Sequence, residues 1–78
     1  LIPVQARSIK VIPTTAPKPK TPADELVFGR TFTDHMLVAE WDARYGWTAP
    51  EIRPFGNLSI APSAACLHYA VECFEGLK

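Results

Sequence analysis

The stretch HYAVECFEGLK, residues 68–78, gathers a histidine, a cysteine, two glutamates and a lysine. A lysine becomes a Schiff-base nucleophile where burial or neighbouring cations disfavour its ammonium form. Nothing in the chain builds such a pocket around Lys78, and Glu75, three residues earlier on a helix, offers a counter-charge. The residues alone make Lys78 a solvated lysine at a helix end. Metal chemistry finds no better footing. His35 and His68 are the only histidines, and Cys66 and His68, two positions apart, fall on different helix faces. No CxxC, HExxH, GxGxxG, GxxxxGK[ST] or GxSxG spacing occurs, so no metal ligands, phosphate cradle or serine nucleophile is assigned. Thr33-Asp34-His35 has the residue types of a base and its orienting acid, yet neighbours on a strand point to opposite faces. Polar residues at a strand rim, or bonded locally, are the expectation there. No catalytic residue emerges.

The elements that would position these groups follow from pattern. FGRTFTDHMLVAEW, residues 28–41, lacks proline and is rich in β-branched and aromatic residues, which predicts a strand. Phe32, Met36 and Val38 share one parity and Leu37, Ala39 and Trp41 the other, as in a strand buried on both faces. DARYGWTAPE, residues 42–51, contains Gly46 and Pro50 and reads as a turn or hairpin connection. IRPFGNLSI, residues 52–60, alternates Ile52, Leu58 and Ile60 against Arg53, Asn57 and Ser59. Pro54 and Gly56 confine that second strand to an edge, a bulge or a bend. Ser63 then suits a helix N-cap and Gly76 a C-cap. On a wheel, Cys66, Leu67, Ala70, Val71, Cys73, Phe74 and Leu77 fill an arc of about 160°, opposite His68, Glu72 and Glu75. The expected order is arm, strand, turn, strand, helix: an α+β arrangement.

Ahead of it, residues 1–25 read as a flexible, basic, proline-rich arm. Arg7, Lys10, Lys18 and Lys20 stand there without an acid before Asp24, and Pro3, Pro13, Pro17, Pro19 and Pro22 favour an extended chain with no core of its own. Pro19-Lys20-Thr21-Pro22 has the spacing of an SH3 ligand, a spacing common in any proline-rich linker. LIPVQARSIK has the composition of a transit-peptide remnant, and a first residue that is Leu leads us to expect the start of translation upstream. The 78 residues allow one small domain, and equal counts of 8 basic and 8 acidic residues give no field that would attract nucleic acid or an anionic membrane. No apolar run is long enough to span a bilayer. Cys66 and Cys73, seven apart on a helix, would sit about 10 Å apart, too far for a disulfide. They read as buried thiols in a reducing compartment.

LVFGRTFTDHMLVAEW (26–41) and GWTAPEIRPFGNLSIAPSAACLHYAVECFEGLK (46–78), in that order, closely resemble the N-terminal part of eukaryotic branched-chain amino acid aminotransferases. FGxTFTDHM, the EW that follows it, the IxPFxNLxIxP strand and the LHYxxxxFEGxK helix carry the likeness, which covers residues 26–78 and not the arm. It implies a class IV enzyme dependent on pyridoxal 5'-phosphate (PLP), a homodimer that moves the amino group of leucine, isoleucine or valine to 2-oxoglutarate. Residues 26–78 would then be a truncated N-terminal small domain of fold type IV. By the same likeness the PLP lysine and the ligands of its phosphate and ring nitrogen lie downstream, and Lys78 matches the lysine of FEGxK instead. The chain is therefore expected to be a fragment, inactive alone, that binds no cofactor itself. Residue by residue, Phe28, Tyr69 and Phe74 match aromatic side chains that wall the pocket for the branched substrate, with Tyr69 reaching a partner subunit. A cytoplasmic or a mitochondrial location is equally compatible. The competing reading is a small non-catalytic interaction module with a proline-rich ligand arm.

Overall fold

The proline-free stretch before residue 41 and the alternating stretch after residue 50 do meet, over shorter spans than the sequence pattern suggests. The structure, a computed structural model, describes residues 3–78. Leu1 and Ile2, the first residues of the arm expected as a transit-peptide remnant, lie outside the described residues. Five short strands are present: β1 Lys10–Val11, β2 His35–Val38, β3 Trp41–Asp42, β4 Gly46–Trp47 and β5 Glu51–Pro54.

Strands β2 and β5 pair antiparallel, with His35 opposite Pro54, Met36 opposite Arg53, Leu37 opposite Ile52 and Val38 opposite Glu51. The second strand thus begins one residue early and ends at Pro54, not at residue 60. Backbone bonding to the β2 side runs one rung past Pro54, where Phe55 N–H donates to Asp34 O at 2.9 Å, and the chain bends at Phe55. Nor is β5 an edge. It is the middle strand of the order β1-β5-β2, because the arm lies parallel to it as β1. Lys10 N–H donates to Pro50 O at 2.9 Å and Ile12 N–H to Ile52 O at 2.8 Å. The arm that has no core of its own borrows a neighbour's edge.

Strands β3 and β4 form the expected hairpin. Asp42 Oδ1 accepts the amides of Arg44 at 2.7 Å and Tyr45 at 3.2 Å, and Gly46 closes the loop at φ +82°, a value that favours glycine. The hairpin and the β2–β5 ladder are separate sheets, bridged by Thr48 N–H donating to Glu40 O at 2.8 Å and Glu40 N–H to Thr48 Oγ1 at 2.9 Å. Glu40 pairs with Thr48, so Ala39 faces both Ala49 and Pro50: a bulge that seats the proline where no ladder donor is needed.

The expected helix from Ser63 to Leu77 is not formed. Only a 3-10 turn, Ala65–Leu67, appears, and residues from Ala70 onward are extended or irregular, with Ala70 itself at φ +52°. Ser63 caps nothing. Helix nucleation is unfavourable, and a stretch this short persists only when its apolar face is packed. Here that face has no cover: Leu67, Val71, Phe74 and Leu77 are exposed, Cys73 likewise, while Cys66 is half-buried. The thiols are free, and neither is buried as the wheel implied.

No hydrophobic side chain is buried among the described residues; Gly46 and Pro50 are the buried positions. The radius of gyration is 15.4 Å, against about 11.5 Å for a compact domain of this length. The mixed strands and short helical turns have an α+β character, without a buried hydrophobic core among the described residues. No helix among the described residues is long and apolar enough to cross a membrane.

Candidate functional site

Phe28 is presented by a tight turn. Arg30 and Thr31 both donate their amides to Val27 O, at 3.0 and 2.9 Å, and Thr31 Oγ1 accepts Val27 N–H at 3.1 Å. Gly29 makes the reversal at φ +78°. The ring of Phe28 points into solvent, 104% exposed. This turn replaces the first seven residues of the long strand expected from the sequence, which starts instead at His35.

Tyr69 and Phe74 lie on the segment that fails to become a helix. Tyr69 is 77% exposed and Phe74 99%. His68 organises the local chain: its Nε2–H donates to Pro62 O at 2.6 Å, and its ring meets Tyr69 edge-on at 6.4 Å. Among the described residues the ring–ring contacts are this pair and Phe32–Phe55, so Phe28, Tyr69 and Phe74 are not in contact with one another.

A concave feature among the described residues lies elsewhere. An open cleft of about 750 Å³ runs between the arm and the segment before β2, lined by Lys18, Lys20, Leu26, Arg30, Phe32 and Asp34 among others. None of the three expected substrate-facing aromatics lines it. Pro19, Lys20 and Thr21 of the PxxP spacing do, with Pro19 and Lys20 exposed and Thr21 half-buried. Lys18 Nζ stands 3.8 Å from Asp34 Oδ1 with 64% of its side chain exposed, a weak pair in water. Lys20 and Arg30 bring further positive charge.

Asp34 and His35 also behave otherwise than as rim residues with local bonds. Asp34 Oδ2 accepts Lys18 N–H at 3.1 Å, and His35 Nε2 accepts Thr14 N–H at 2.9 Å. Their partners lie 16 and 21 residues away, in the arm. No periodicity signals such pairings, although a proline-rich arm with few amide donors needs acceptors for those it has. Lys78 is exposed, and no group of three metal-ligating side chains is found among the described residues.

No family model matches the chain. Its sequence is 57% identical over 74 residues to the cytosolic branched-chain-amino-acid aminotransferase of Mus musculus, a match covering 95% of the chain. It is 57% identical over 79 residues to the cytosolic enzyme of that name from Saccharomyces cerevisiae, covering the whole chain, and 53% identical over 76 residues to the yeast mitochondrial one. The chain matches the N-terminal part of the eukaryotic branched-chain-amino-acid aminotransferases. It spans about a fifth of their length, 19% of the mouse aminotransferase and 21% of the yeast cytosolic one. These aminotransferases include cytosolic and mitochondrial forms, so the match leaves both locations open.

Proposed function

We propose that this chain is the N-terminal part of a PLP-dependent transaminase that passes the amino group of leucine, isoleucine or valine to 2-oxoglutarate. The observation that carries the proposal is 57% identity to two aminotransferases over 95% and 100% of the chain. It extends through the arm as well as through the FGxTFTDHM and FEGxK motifs. The full protein would be a homodimer of fold type IV.

In that protein Phe28, Tyr69 and Phe74 would wall the substrate pocket. A branched aliphatic side chain is selected by apolar contact, and a pocket that excludes charge suits exposed aromatics awaiting a covering surface. Tyr69, outside the apolar arc of its segment, suits a contact with the second subunit.

The residues of this chain do not fit PLP. The cofactor supplies an electron sink and needs a nucleophilic lysine beside an anion-binding cradle. Lys18 is paired with Asp34 at the cleft and largely solvated, and Lys78 is exposed. No step of the transfer is therefore assigned to residues 1–78. The test is an assay of the full-length protein with leucine and 2-oxoglutarate. Glutamate should form; none forming, with PLP bound, would overturn the proposal.

A further inference from the structure

Asp34 and His35 are half-buried polar neighbours that the proposed transaminase function leaves unused. Both accept hydrogen bonds from backbone amides of the arm, Lys18 N–H at 3.1 Å and Thr14 N–H at 2.9 Å. Pro13, Pro17 and Pro19 have no N–H to give, so these amides are among the few donors of that stretch. Thr14 is itself half-buried. With β1 paired on β5, the arm is thus fixed at three successive points along the sheet.

We propose that Asp34 and His35 form a latch that holds the proline-rich arm against β2, and that protonation of His35 opens it. An N–H can donate to Nε2 only when that nitrogen carries its lone pair, so the latched ring is neutral with its hydrogen on Nδ1. A proton and the Thr14 amide compete for the same lone pair. Protonation of His35 therefore frees the Thr14 amide, while the β1–β5 pairing and the Lys18 contacts of Asp34 remain.

The charged groups around His35 do not duplicate this role. From the arm comes Lys18, already matched by Asp34. On β5, Arg53 and Glu51, 3.6 Å apart and paired with each other, stand opposite Met36 and Val38, and the position opposite His35 is the uncharged Pro54. From the turn before β2 comes Arg30, across the cleft. The Lys18–Asp34 contacts use carboxylate oxygens and survive imidazole protonation, so the latch opens from the Thr14 end.

The test is amide hydrogen exchange on the full-length protein, corrected for the intrinsic pH dependence of exchange. Segment 12–16 should be protected at about pH 7.5 and lose about tenfold or more of that protection at about pH 5.5. His35→Gln, which keeps an acceptor that does not titrate, should hold the arm at both values. His35→Ala should leave it free at both. Protection of the β2 and β5 amides in the same experiment reports whether each variant is folded, and the wild-type comparison stands without them. Equal wild-type protection at the two pH values, or an arm unaffected by His35→Ala in a folded variant, overturns the latch.

Discussion

The rings of Phe32 and Phe55 lie stacked, their centroids 5.0 Å apart and their planes 14° from parallel. They join the residues entering β2 to those leaving β5, beside the backbone bond from Phe55 N–H to Asp34 O.

Replacing Phe32 and Phe55 by alanine, singly and together, should show coupling. Stacked rings contribute about 0.5–1.5 kcal/mol beyond the area they bury. With the side chains 50% and 52% exposed, the lower end is expected. Denaturant unfolding of the full-length protein measures it. Effects that add to within about 0.3 kcal/mol would mean that the rings do not hold each other there.

Phe74→Ala in the full-length enzyme should weaken the preference for leucine over alanine by about tenfold or more, the worth of a lost apolar contact of ~1–3 kcal/mol. The ratio of kcat/KM values for the two substrates is the readout. A variant that loses stability while keeping its preference would place Phe74 in packing and remove it from the pocket wall.

Residues 1–78 alone should show no cooperative thermal transition and little helical circular dichroism. Each ordered residue costs about 1.5 kcal/mol in conformational entropy, and no hydrophobic side chain among the described residues is buried to offset it. Added PLP should change neither, because a ligand stabilises a fold only through differential affinity for it. A sharp melt, or a protein-dependent shift of the cofactor's absorbance, would show that the chain is a self-sufficient domain.

Where local chemistry decides, the sequence alone was sufficient. Gly46 with Asp42 specifies the hairpin, since one supplies the left-handed backbone and the other the acceptor for two loop amides. The run around Met36 and Leu37 favours an extended chain wherever it finds an edge. Tertiary structure decided the rest. Lys10 and Val11 are a strand only because β5 presents its edge to them, and Asp34 and His35 acquire partners only because the arm returns 16 and 21 residues along the chain. The stretch from Ser63 to Leu77 carries a helical pattern without a helix. Periodicity states which face could be buried, but burial needs a second surface, and the free energy that would close the first helical turn resides in that contact.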